Sequence, residues 1–249
     1  MRRWISSSGL TLLVALLGVG TAHAQSVPII VPATANIYGA GHASPPAPGG
    51  NGGGVLPTLV LLPAGTGRAM TISNSSGSID FGPCCPANDA DGIASAGNGP
   101  FNSWDGIAGM EISRGRFLAA VFLDDSEPSD PSPDRLVITD TGFSSLVPGL
   151  RQSFFVGDGL TGNGAGSVQE FQVPDGATRV MFGVHDSGPP DSTVPGWYGD
   201  NSGSIAASVE ITAGTPVPAL GAFARAGLVI ATVLTGALYV LRSRIRVVT

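Results

Sequence analysis

The chain has 249 residues, with eighteen acidic residues, twelve arginines, no lysine and a formal net charge of −6. All eighteen acids lie between Asp80 and Glu210, and the body between the two end segments sets only six arginines (Arg68, Arg114, Arg116, Arg135, Arg151 and Arg179) against them. A body so acidic repels nucleic acid and anionic membrane surfaces and attracts cations, which argues against a nucleic-acid-binding function.

The N-terminus reads as a secretory signal peptide over residues 1–24. Arg2 and Arg3 precede an apolar run, Leu10 to Val19, and Ala22-His23-Ala24 supplies the small-residue cleavage site. Cleavage after Ala24 removes the signal helix and leaves His42 and His185 as the histidines of the mature chain. Residues 25–55 follow as an N-terminal strand, Val27 to Val31, and a Gly/Pro-rich stretch. Ala33 to Gly54 holds little that can bury a core and is expected to be a loop or linker, with His42 solvated in it.

Residues 56–213 are predicted to be an all-β domain. Leu56 to Leu62 and Ala69 to Ser73 read as strands across the turn Pro63 to Gly67. Ser75 to Ile79 (S-S-G-S-I) recurs as Asn201 to Ile205 (N-S-G-S-I), which suggests one turn chemistry used twice to introduce a strand. Asp80 to Gly99 is expected to be loop. It contains adjacent Cys84 and Cys85, which in an exported protein form either a strained vicinal ring or a bridge to another chain. Asp89 and Asp91, in N-D-A-D-G, are either half of a cation loop or an Asx turn.

Phe117 to Leu123 (F-L-A-A-V-F-L) is the most apolar run of the body and is predicted to be a buried core strand. Asp124 to Asp134 is an acidic, proline-rich surface loop. Leu136 to Thr139, Val168 to Val173 and Thr178 to Val184 read as further strands, and Phe154 to Gly157 leads into a glycine-rich loop. The glycine-rich segment from Gly157 lacks the lysine of a phosphate-binding loop. Many short strands joined by Gly, Pro and Asp turns, with no convincing amphipathic helix, predict a jelly-roll-like β-sandwich.

The most informative stretch is Val184 to Ile211. An apolar strand leads into a turn-rich loop carrying Asp186, Asp191, Asp200 and Asn201, and Ser204 to Ile211 leaves it as a strand. Hard oxygen donors gathered between two strands suit Ca²⁺; a solvated loop of ordinary turn formers is the alternative. Catalysis has little support. Asp140 and Asp186 both begin aspartic-protease-like tripeptides, but too few residues separate them to build two lobes. No nucleophile elbow accompanies the histidines, and no carboxylate pair is singled out for glycoside hydrolysis, so the chain is not expected to be an enzyme.

The residues His185-Asp186, Pro195 to Ser204 (P-G-W-Y-G-D-N-S-G-S) and the strand after them resemble the calcium- and galactose-binding loop of the PA-I galactophilic lectin family. Upstream, S-G-S-I-D-F-G-P resembles the segment whose aromatic carbonyl completes that family's metal site. The resemblance implies a small jelly-roll sandwich. It implies Asp186, Asp200 and Asn201 as side-chain ligands of Ca²⁺, with Trp197 and Phe81 contributing backbone carbonyls and sugar hydroxyls completing the sphere. Eight residues, Ser187 to Val194, are inserted after Asp186 relative to the family, and the sugar-contacting histidine and glutamine are replaced by P-A-N-D-A-D-G.

Residues 214–249 end the chain in an uncharged apolar run, Ala226 to Leu241, followed by Arg242, Arg244 and Arg246. Counted from Val217 the segment is long enough for a transmembrane helix with a cytoplasmic basic flank. Val217 to Leu220 (V-P-A-L), the apolar span and R-S-R-I-R resemble the C-terminal sorting signals of Gram-negative bacteria, closer to the I-P-T-L than to the P-E-P type. The resemblance implies an inner-membrane intermediate with its body on the periplasmic or extracellular side, a sorting protease as partner, and placement on the outer surface after sorting. Two functions are therefore expected: a surface-anchored, Ca²⁺-dependent lectin-like protein that binds a cell-surface or matrix glycan, or a structural surface or extracellular-matrix protein that binds no sugar.

Overall fold

The computed structural model describes residues 25–82, 86–94, 100–186 and 195–212. The expected signal helix, Cys84, Cys85, the insertion 187–194 with Asp191, and the segment from residue 213 lie outside the described residues. Among the described residues no helix is long and apolar enough to cross a membrane.

The chain is all-β. Nine strands build its two larger sheets: β1 (Gln25–Pro32), β2 (Thr58–Leu61), β3 (Ala69–Asp80), β4 (Leu118–Leu123), β5 (Ser145–Leu146), β6 (Ser153–Phe155), β7 (Glu170–Gln172), β8 (Arg179–Val184) and β9 (Ser202–Thr212). The five-stranded sheet has the order β1-β9-β3-β7-β5 and is antiparallel except where β7 meets β5. The four-stranded sheet, β6-β4-β8-β2, is antiparallel throughout.

One core lies between the two sheets. Ile29 and Val31 of β1, Met70, Ile72 and Ile79 of β3, and Ile205, Val209 and Ile211 of β9 meet Val60, Phe122, Phe154, Val180 and Phe182 of the other sheet. The alternation expected of a strand with one dry face is visible in β1, where Ile29 and Val31 are buried and Ile30 is 65% exposed. Strand β4 breaks that alternation because both of its faces are covered. Leu118, Ala120 and Phe122 enter the first core; Ala119, Val121 and Leu123 enter a second one with Ile37, Tyr38, Phe101, Phe117, Phe155 and Met181. Its unbroken apolar run is thus a strand buried on both sides, as the sequence suggests.

Four expectations are corrected. Residues 33–54 are not a linker. Ala35 accepts a hydrogen bond from Val184 N at 2.8 Å, and a 3-10 turn, Ile37–Gly39, drops Ile37 and Tyr38 into the second core. Buried Asn36 ties the segment together: its Nδ2 donates to Pro46 O (2.8 Å) and Gly53 O (3.0 Å), and its Oδ1 accepts from Tyr38 N. Nor is His42 simply solvated. Its side chain is 8% exposed, with Nε2 3.0 Å from Asp105 O and Nδ1 3.4 Å from Glu127 Oε1.

The glycine-rich segment after Gly157 is a hairpin, Leu160–Gly162 against Ala165–Val168, set by Asp158, whose carboxylate accepts from Leu160 N and Gly164 N. The repeated pentapeptides, finally, are not turns. They pair with each other inside β3 and β9 in a register centred on Ser78 and Ser204. Gly77 and Gly203 both have positive φ (106° and 88°), and a Cβ on either would lie 2.2–2.3 Å from the opposing serine's carbonyl oxygen. The repeat is therefore one close-approach solution used on both sides of a strand pair.

Candidate functional site

The loop singled out in the sequence sits where β8 ends and β9 begins. Trp197 takes a left-handed conformation (φ 74°, ψ 14°) and caps a 3-10 turn, Tyr198–Asp200; Asn201 is extended and leads into β9. The turn is built on Tyr198, which is fully buried. Its hydroxyl donates to Val184 O at 2.9 Å and accepts from Asp186 N at 3.1 Å. Burial, reinforced by the negative charge of Asp186, holds the phenol far above its ordinary pKa, so it stays a donor. Asp186 is thus tied to the turn by its backbone, whatever path the insertion takes.

The second approach comes from β3. Asp80 pairs with Ser202, so Phe81 and Gly82 run on beside Asn201 and Asp200. The contact is close: a Cβ on Gly82 would stand 2.7 Å from Asp200 Oδ2. Phe81 is buried in the first core, and the Arg116 guanidinium lies 5.6 Å from its ring centroid. Asp200 is exposed and Trp197 half-buried.

Asn201 is one of the residues whose hydrogen-bond accounting does not close, alongside the buried acceptors Asp80 Oδ1, Asn88 Oδ1 and Gln169 Oε1. It is 8% exposed, its Nδ2 donates to Ala33 O at 3.1 Å, and its Oδ1 is buried with no hydrogen-bond partner. Buried acceptors are rarely left so, and a bound cation is one of the groups that satisfies them. An amide oxygen beside carboxylate and carbonyl oxygens also has the hardness Ca²⁺ selects. Among the described residues, no group of three or more His, Cys, Asp or Glu side chains gathers to hold a metal. The donors expected from the sequence, Asp186, Asp200, the Asn201 amide and the backbone carbonyls of Phe81 and Trp197, include two carboxylates.

Other sequence candidates resolve into structural roles. Asp89 Oδ1 accepts from Asp91 N at 3.1 Å, which is the Asx turn of the two alternatives. Asp91 is buried and its Oδ1 accepts from Asp158 N at 2.9 Å; burial, the largest cause, raises its pKa. Asp140 caps its own turn by accepting from Gly142 N.

His185 and Ser153 do meet, Nε2 to Oγ at 3.0 Å, a pairing invisible in the sequence. Both are buried, and the serine hydroxyl donates to Ala108 O at 2.7 Å. The imidazole must then donate to Ser153 Oγ, and its Nδ1 has no hydrogen-bond partner. A hydroxyl committed to a carbonyl and a histidine with no orienting carboxylate lack the arrangement of an activated nucleophile. Sequence reasoning missed Tyr198 as the organiser of the loop and Asn36 as the anchor of the segment beside it. The only signal for either was an aromatic or amide residue set among glycines and prolines.

Compared with protein-family models, with curated proteins and with solved structures, the chain matches none.

Proposed function

We propose that this chain is an exported, calcium-dependent carbohydrate-binding protein, held at the cell surface by its C-terminal segment, with a jelly-roll-like β-sandwich body like that of the PA-I galactophilic lectins. The observation that carries the reading is Asn201 Oδ1, a buried acceptor without a partner in the turn that sets Asp200 against Gly82. Asp186, Asp200 and Asn201 would supply side-chain oxygens and Trp197 and Phe81 backbone carbonyls. A bound Ca²⁺ would offer a vicinal diol of a sugar two open coordination positions.

The placement of the chain ends supports surface display. Gln25 pairs with Ile211, so the points from which the N-terminal and C-terminal segments continue are neighbours. The loop lies at the other end of β9, eleven residues long, a span of about 35 Å at the usual rise per strand residue. Anchored by its tail, the body would present the loop away from the bilayer.

The test is calorimetric titration of CaCl₂ into the full chain, held in a detergent without a sugar headgroup, followed by a glycan array with and without chelator. Wild type is expected to take up Ca²⁺ at millimolar concentrations or below, as extracellular sites do, and Asn201→Ala to bind at least about tenfold more weakly. No Ca²⁺ uptake by wild type would sink the reading. A structural surface or matrix protein is the second reading. It is favoured by the lack of a three-acid cluster among the described residues and by the Arg116 cation over Phe81. A Ca²⁺-dependent rise in Tm with an empty glycan array would select it.

A further inference from the structure

We propose that the glycine-rich segment 49–54 is the template that sets the conformation of the Trp197–Asp200 turn, and so is a positioning element of the candidate cation site rather than a spacer. The proposal's functional half rests on the Ca²⁺ reading above; its structural half does not.

The segment lies along the turn as a backbone ladder. Gly49 N donates to Pro195 O (3.0 Å), Trp197 N to Gly50 O (3.4 Å), Tyr198 N to Gly52 O (3.3 Å) and Gly199 N to Asn51 O (2.9 Å). Three consecutive amides of the site turn, 197 to 199, thus find their acceptors in this one segment. The left-handed φ of Trp197 is therefore held from outside, since a residue with a Cβ does not adopt it freely.

The approach depends on paired glycines. A Cβ on Gly52 would stand 3.2 Å from both Cα and N of Gly199, and a Cβ on Gly199 would stand 2.7 Å from Asn51 O. Gly52 also has φ of +87°. The segment itself is anchored by Asn36, whose Nδ2 donates to Gly53 O and, just before the segment, to Pro46 O. The glycines that look like a flexible linker thus allow two backbones to touch, and the touching fixes where Asp200 and the Trp197 carbonyl stand.

Two variants separate contact from backbone strain. Gly52→Ala introduces a tight contact, 3.2 Å from Cα and N of Gly199. Gly50→Ala shares a φ of +87° but meets nothing within 4 Å. Hydrogen exchange is measured on the full chain without calcium, followed by CaCl₂ titration. Gly52→Ala is expected to speed exchange at Trp197, Tyr198 and Gly199 at least tenfold more than Gly50→Ala does. Protection at Val209 and Ile211 in β9 is expected to remain, and Ca²⁺ affinity to fall at least tenfold.

Unchanged exchange at 197 to 199 in Gly52→Ala overturns the template. Accelerated exchange with wild-type Ca²⁺ affinity overturns the link to the site. Should wild type itself take up no Ca²⁺, the functional reading fails, and the exchange result alone upholds or overturns the template.

Discussion

Acidification should destabilise this protein through one buried imidazole. His185 is 2% exposed, stacked on Phe101 at 4.6 Å between ring centroids and flanked by Tyr38 (5.2 Å) and Phe117 (5.9 Å). Burial alone lowers its pKa from 6.5 to about 3. The folded protein thus keeps the ring neutral where the unfolded chain would protonate it. The stability this represents is complete above pH 6.5 and is lost as pH falls towards 3. Each pH unit below 6.5 costs about 1.4 kcal/mol, so the loss is about 3 kcal/mol at pH 4.5 and about 5 kcal/mol in full. Replacing the ring by one that cannot titrate, His185→Phe, removes that slope whatever it does to stability at neutral pH. Ser153 keeps its bond to Ala108 O in the variant. Urea unfolding at pH 7.5, 6.5, 5.5 and 4.5 measures both proteins, and the carboxylates and His42 common to both cancel in the difference. The stability difference should shift by about 3 kcal/mol in favour of the variant between pH 7.5 and 4.5. Parallel curves would refute the claim that His185 is neutral and dry in the folded state.

Two further outcomes follow from the packing. Tyr198→Phe removes the hydroxyl that serves Val184 O and Asp186 N. It should cost about 1–3 kcal/mol in chemical denaturation and speed exchange at the Asp186 amide. Gly203→Ala places a Cβ 2.3 Å from Ser78 O at a φ of +88°. It should cost at least about 2 kcal/mol, and a Tm equal to wild type would show that the strand pair can open without loss.

Much of the fold was legible in the chain. Short apolar runs broken by Gly, Pro and Asp identify the strands, because a strand needs only local alternation or an unbroken apolar stretch. Phe117 to Leu123 shows the limit of that signal. Its hydrophobicity marks a buried strand, but not that β4 divides its side chains between two cores. Segment 33–54 shows the opposite failure. Its composition resembles a linker, yet Asn36, Ile37 and Tyr38 are buried, since a few well-placed side chains among small residues can dock against a finished sheet. For the candidate site, Asp186, Trp197, Asp200 and Asn201 are expected from the resemblance of the loop motif, and Phe81 from that of the upstream segment. Asn36, Tyr198 and the segment that templates the turn are not, because their roles are hydrogen bonds to residues distant in sequence.

Local chemistry by itself determined the β class, the export and anchoring expectations, and the oxygen donors grouped in one loop. All of these depend on residue type and near-neighbour spacing. The tertiary structure alone decided that the two pentapeptide repeats pair with each other, that Ser153 and His185 meet in a dry interior, and that a glycine-rich stretch supplies acceptors to the site turn. Each of those is a contact between chain segments far apart in sequence, chosen by sheet register and by how closely two backbones approach, and neither is written in composition or periodicity.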